Sequence, residues 1–218
     1  MSAADLSDCR LYGILDLGYI DPAGAARVVR AMIAGGVDII QLRAKVRRVS
    51  EIATLATELH GVTSQAQVPL VINDHAEIAR AVGAEGVHVG QDDLSIAQVR
   101  GIVGPDCIVG RSTHSLSQAT QAASQGADYI GFGPLFATPT KPDYAPIGLA
   151  DISAVHAAVA LPIFCIGGIK LHNLPQVVAA GARRVVIVSE LLQADDVAEY
   201  ARSAKALLNQ QSKISNQR

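Results

Sequence analysis

A (β/α)8 barrel in one domain is the fold class this sequence predicts, on three observations. Short apolar runs alternate with helix-like segments from end to end, giving eight strand–helix units in about 200 residues. The polar clusters of interest fall just after the strands, which assigns them to one rim, where barrel enzymes hold their active sites. No internal repeat or linker-like stretch divides the 218 residues. A doubly wound open sheet is the competing class, and the regularity of the units favours closure.

Leu11–Leu15 reads as the first strand. Pro22 opens a helix through Ala34, because proline suits the first helical turn, and Gly35-Gly36 stops it. Asp38–Leu42 is the second strand. Ser50 suits the N-cap of the helix Glu51–Leu59, where Ile52, Leu55, Ala56 and Leu59 recur at helical spacing. Pro69–Ile72, Glu77–Val82 (closed by Gly83) and Gly86–Val89 form a strand–helix–strand unit. Its right-handed crossover puts both polar strand ends, Asn73-Asp74 and Gln91-Asp92-Asp93, on the same rim. A helix Ile96–Val103, a strand Cys107–Gly110, a helix Ser117–Gln125 ended by Gly126 and a strand Asp128–Phe132 follow. Gly133–Gly148 has no regular pattern, and a segment of that length in a compact domain is usually functional. Asp151 caps a helix Ile152–Val159, and Leu161–Ile166 is the seventh strand. His172–Ala180 is helical with Pro175 in its first turn, Arg184–Val188 is the eighth strand, and a last helix runs from about Asp195 to Leu208. Residues 1–9 and 209–218 are expected to be flexible ends.

Half of the residues are hydrophobic, enough for one sizeable core. The net charge of −2 gives no electrostatic case for nucleic acid or an acidic membrane surface. No apolar run approaches the ~20 residues of a membrane-spanning helix. Met-Ser-Ala-Ala-Asp-Leu-Ser-Asp lacks the basic start and apolar stretch of a signal peptide. Cys9, Cys107 and Cys165 show no paired spacing, and the latter two read as reduced core residues. A cytoplasmic setting is the default reading. The oligomeric state stays open, a homo-oligomer included.

Asp74 and Asp93 are expected side by side at the ends of neighbouring strands. Two converging carboxylates repel, and a hard divalent cation such as Mg²⁺ relieves that; the plainer reading is an N-cap or solvated acid at each position. Gln41, Arg43 and Lys45 alternate, so an extended strand points them to one side, where two cations suit a polyphosphate. The alternative for the cations is a salt bridge to Asp74 or Asp93. Gly167-Gly168 allows close approach of backbone N–H groups to an anion, and Ser189 adds a hydroxyl at the next strand end. Thr138, Thr140 and Lys141 bring two hydroxyls and a cation to the irregular segment. Two anion sites with an acid pair between them suggest two small phosphorylated substrates. Ser112 and His114 lack an orienting acid, so no nucleophilic triad is read. His88, inside an apolar run, reads as a core or rim histidine, and no Cys/His spacing suits zinc.

Together, Leu11-Tyr12, Gln41-Leu-Arg-Ala-Lys45, Asn73-Asp74, Gly86-Val-His-Val-Gly-Gln-Asp-Asp93, Gly110-Arg-Ser-Thr-His114, Asp128-Tyr-Ile-Gly-Phe-Gly-Pro134, Thr138-Pro-Thr-Lys141, Ile166-Gly-Gly-Ile169 and Val188-Ser189 resemble the thiamine phosphate synthase (thiamine-phosphate pyrophosphorylase) family in order and spacing. The resemblance implies condensation of 4-amino-2-methyl-5-(diphosphooxymethyl)pyrimidine with thiazole phosphate, releasing pyrophosphate. It implies that Asp74 and Asp93 hold Mg²⁺. It assigns Gln41, Arg43, Lys45, Asn73, Ser112 and Lys141 to the pyrimidine diphosphate, and Thr138, Thr140, Gly168, Val188 and Ser189 to the thiazole phosphate. No residue is implied as an acid or base. The chain departs from the family's usual Glu at Ala44, Arg at His75 and Thr-Asp near Leu15-Asp16; alternation turns position 44 away from Arg43 and Lys45. The competing functions are a thiazole tautomerase on the same barrel and a non-catalytic paralogue that binds a phosphate ligand.

Overall fold

The structure is a computed structural model that describes residues 6–140 and 144–215. Eight parallel strands follow one another round a closed barrel. They are β1 (Leu11–Asp16), β2 (Ile39–Arg43), β3 (Leu70–Asn73), β4 (Gly86–Val89), β5 (Ile108–Thr113), β6 (Tyr129–Phe132), β7 (Ile163–Cys165) and β8 (Val185–Ile187). Closure is made where Leu11, Tyr12 and Gly13 of β1 lie opposite Val185, Val186 and Ile187 of β8. The surrounding helices are α1 (Pro22–Ala34), α2 (Val49–Gln65), α3 (Ala76–Val82), α4 (Ile96–Val103), α5 (Leu116–Ser124), α6 (Ile152–Ala158), α7 (Leu174–Ala179), the short α8 (Ser189–Leu192) and α9 (Val197–Ser215).

Strand alternation builds two cores. Inward-facing Tyr12, Ile39, Val71, Ile108, Tyr129, Phe164 and Val186 fill the barrel floor together with Leu6. The rings of Tyr12 and Tyr129 meet Phe164 edge-on, at centroid distances of 5.4 and 5.6 Å. Outward-facing residues such as Leu15, Leu42, Ile72, Val87 and Val109 pack against the helices in a second, larger core. Ala44 is buried there, so the position that departs from the family's glutamate faces away from the mouth.

Several boundaries differ from those the sequence predicts. β5 runs on through Arg111, Ser112 and Thr113, because Ser112 and Thr113 keep pairing with Gly131 and Phe132 of β6. Asp16, Arg43 and Asn73 likewise end their strands rather than follow them. The N-cap of α2 is Arg48, not Ser50: the Glu51 carboxylate accepts from the Arg48 backbone N–H (3.2 Å) and its guanidinium (2.7 Å). Ser115 caps α5, accepting from Gln118 N at 3.2 Å, so that helix starts before Ser117. Asp151 occupies the N-cap of α6 without a capping bond from its side chain. The last helix continues to Ser215 instead of ending near Leu208. At the other end, Leu6 is buried under the barrel and Ser7 O accepts from Arg184 Nη2 (2.7 Å), so not all of residues 1–9 hang free. All three cysteines are free thiols; Cys165 is core, whereas Cys107 is only half-buried, just before β5.

Candidate active site

An open cavity lies over the carboxyl ends of the strands. Its wall includes Gln41 and Arg43 of β2, Asn73 of β3 and Ser112 of β5. Thr138 and Thr140 come from the irregular segment, Gly168 from beyond β7, and Val188 and Ser189 from beyond β8. Nine of the residues singled out in the sequence thus meet at one mouth, although they span positions 41 to 189. Lys45, Asp74 and Asp93 follow β2, β3 and β4 at the same strand ends but do not themselves line it. Lys141 lies outside the described residues.

The acid pair converges as the crossover argument requires. Burial pushes the Asp74 carboxyl above the usual aspartate range; Lys45 pulls it back, while the charge and hydrogen bond of the facing Asp93 push it further up. Lys45 Nζ stands 2.5 Å from Asp74 Oδ2, so the salt-bridge alternative is realised for that cation. Asp74 has φ = 65°, in the left-handed region where a non-glycine residue is strained, and its N–H donates to His88 O at 2.9 Å. Asp93 Oδ2 accepts from Gly90 N (2.7 Å). Arg111, buried and pointing outward from β5, donates to Leu94 O (2.9 Å) and Gln91 O (3.2 Å), bracketing the turn that carries Asp93.

Two anchors escaped the sequence reading. Asp16 closes β1, is 4% exposed, and holds Arg43 Nη1 at 2.5 Å from its Oδ2. Alternation with Tyr12 and Ile14 was the available signal, since it turns Asp16 inward. His88 lines the cavity and bonds Ser112 Oγ through Nε2 (2.9 Å) and Tyr129 OH through Nδ1 (3.0 Å). The histidine beside Ser112 is therefore His88, not the sequence neighbour His114. His114 also lines the cavity, with Nδ1 on Gly133 O.

The opposite side of the mouth is small and polar. Gly168 (φ = 63°) tolerates no side chain, because a Cβ there would stand 2.7 Å from Ala137 O. Asn173 fixes the turn by donating to Gly168 O (2.9 Å) while its Oδ1 accepts from Lys170 N (2.7 Å). Thr140 is steadied by the Tyr19 hydroxyl at 3.1 Å. Cations and acids on one side and hydroxyls with an open glycine turn on the other could hold two anionic groups at once.

Fold and site together define a (β/α)8-barrel enzyme with a polar mouth at the carboxyl ends of its strands. The family model "Thiamine monophosphate synthase" matches residues 11–191, and the chain belongs to that family. It is a transferase of thiamine biosynthesis. It is 44% identical to the thiamine-phosphate synthase of Chloroflexus aurantiacus over 96% of this chain and 97% of that one. It is also 44% identical to that of Halalkalibacterium halodurans, over 88% and 92%. The solved structure of the thiamine phosphate pyrophosphorylase from Pyrococcus furiosus superposes with a TM-score of 0.85 at 29% identity, covering 92% of this chain and 96% of that one. No helix among the described residues is long and apolar enough to cross a membrane.

Proposed function

We propose that the chain joins 4-amino-2-methyl-5-(diphosphooxymethyl)pyrimidine to thiazole phosphate, forming thiamine phosphate and pyrophosphate by a dissociative, Mg²⁺-assisted route in the cytoplasm. The observation that carries this is the meeting of Asp74 and Asp93 beside a cavity that also gathers Arg43, Asn73 and Ser112. The acid pair suits Mg²⁺. Among the described residues no group of three or more His, Cys, Asp or Glu comes together, and Mg²⁺ favours one or two carboxylates completed by substrate phosphates and water. When bound, Mg²⁺ supplies electrostatic stabilisation to the departing diphosphate.

In this reading Arg43, Lys45 and Lys141 gather the diphosphate, and Gln41, Asn73 and Ser112 orient the pyrimidine. Asp74 would be one of the two acids to hold the ion, and Lys45, paired with Asp74 at 2.5 Å, would share its charge with the diphosphate. Thr138, Thr140, Gly168, Val188 and Ser189 hold the thiazole phosphate across the mouth. The carbon–oxygen bond to the diphosphate breaks first, leaving a methylene cation delocalised into the aminopyrimidine, and the thiazole nitrogen then supplies the electron pair for the new bond. That nitrogen carries no proton, so no general base is needed. The protein positions both partners and keeps water from the cation.

A mixed assay tests the proposal against a thiazole tautomerase and a phosphate-binding paralogue. Both substrates with Mg²⁺ should release pyrophosphate and thiamine phosphate in equal amounts. Isomerisation of the thiazole alone, without pyrophosphate, would replace the synthase with the tautomerase, and silence in both arms would leave only a binding protein.

A further inference from the structure

The turns after β7 and β8 carry Gly168, Val188 and Ser189, and the sheet does not set one turn against the other. β7 and β8 pair at Cys165 and Val185, and both strands end short of the turns. Gly167 (φ = 99°) and Gly168 (φ = 63°) both stand in the left-handed region, where glycine backbone is permissive and needs holding from outside. Phe136 N donates to Gly167 O (3.0 Å), which ties that turn to the segment after β6. Asn173 ties Gly168 to Lys170. The link to the turn after β8 comes from the last helix. Tyr200 of α9 reaches both turns with one hydroxyl. It accepts from Leu171 N (3.1 Å), just beyond the glycines, and donates to Glu190 Oε2, on the residue after Ser189. Lys170 Nζ stands 3.7 Å from the other oxygen of that carboxylate.

The groups themselves fix the direction of both bonds. A backbone N–H only donates, so the phenol oxygen accepts from Leu171, and its single hydrogen goes to the carboxylate. Burial, and then the bond to Glu190, raise the pKa of the Tyr200 phenol, so that hydrogen is kept at neutral pH. Tyr200, Lys170 and Glu190 do not line the cavity, although their neighbours Gly168, Ile169 and Ser189 do. Glu190 puts a negative charge one residue from Ser189, which opposes an anion arriving there. Bound to Tyr200 and paired with Lys170, the carboxylate is held toward α9 and shares its charge with a cation.

We propose that Tyr200 is a positioning residue for the thiazole phosphate: its hydroxyl fixes the Gly168 turn against the Val188–Ser189 turn and holds the Glu190 carboxylate away from the bound phosphate. This rests on the assignment of Gly168, Val188 and Ser189 to the thiazole phosphate. Tyr200 touches neither substrate and acts through the two turns. A phosphate cradle built from two separate turns binds only when their spacing is right, and a hydroxyl that joins them sets that spacing before the substrate arrives. The pyrimidine side of the mouth, on β2, β3 and β5, has no part in this link.

Tyr200→Phe keeps the ring and removes only the hydroxyl. Steady-state kinetics with each substrate varied, and calorimetric titration with thiazole phosphate alone, are run on wild type, Tyr200→Phe and Glu190→Gln. In Tyr200→Phe the KM and Kd for thiazole phosphate should rise at least about tenfold, with kcat and the KM for the pyrimidine diphosphate unchanged. Glu190→Gln keeps an acceptor for the phenol and should lose less than Tyr200→Phe. Unchanged thiazole phosphate affinity in Tyr200→Phe overturns the proposal and leaves the synthase reading intact. Equal losses for both substrates, or a fall in kcat alone, also overturn it, because they mark a general structural role. A wild type that binds thiazole phosphate but releases no pyrophosphate defeats the synthase reading instead, and the calorimetric comparison still decides the role of Tyr200.

Discussion

At the scale of single residues, the site keeps its charges by pairing them. Arg43 leans on Asp16 and Lys45 on Asp74, so neither cation is stranded in the partly dry mouth. Far from the mouth, His156 is not so provided for. Burial and then the charges of Arg183 and Arg184 push its imidazolium pKa down to about 4, and its buried Nε2 has no hydrogen-bond partner. A histidine whose folded pKa lies below its ordinary value stabilises the fold above about pH 6.5, and that stability is lost as pH falls through about 4. Between those limits the melting temperature of wild type should drop more steeply than that of His156→Gln. Parallel slopes for the two proteins would remove His156 from the acid response.

At the scale of elements, the turn between β4 and α4 depends on its neighbour strand. Arg111 extends from β5 and binds the carbonyls of Gln91 and Leu94, while burial lowers its pKa and Asp93 and Asp92 raise it. It touches the turn rather than the proposed metal position, so it acts on Asp93 by holding the backbone. Arg111→Gln should raise the Mg²⁺ concentration for half-maximal turnover about tenfold, with the KM for thiazole phosphate unchanged. An unaltered Mg²⁺ dependence would show that the turn holds itself.

The same turn marks how far the sequence could be read. The strand–helix–strand period, the crossover rule and the paired acids were all legible, because each is a local pattern. Arg111 carries no signal in the sequence beyond its place in a motif, since its outward direction depends on β5 running past Gly110, and that follows from pairing with β6. Ser112 was legible as a polar strand-end residue, but its partner His88 lies 24 positions away across a strand boundary. Asp16 was within reach through alternation, yet its partner Arg43 appears only when Asp16 and Arg43 come into register across β1 and β2. Helix starts shifted by one or two residues because the caps Arg48 and Ser115 lie just upstream of Ser50 and Ser117.

On the scale of the whole molecule, barrel closure makes the site. Asp38, just before β2, accepts from the backbone N–H groups of Arg10 (2.7 Å) and Leu11 (2.9 Å) and pairs with Lys205 of α9, tying the last helix to the first two strands. Closure sets the carboxyl ends of all eight strands on one rim, and with them acids, cations and hydroxyls from distant parts of the chain. The account depends on these groups acting as one magnesium-assisted mouth. Steady-state turnover of Asp93→Ala across a Mg²⁺ titration tests that most directly. Loss of metal-assisted diphosphate departure predicts a fall in kcat of at least about 10²-fold that added Mg²⁺ does not restore. Near-wild-type kinetics at any Mg²⁺ concentration would contradict it.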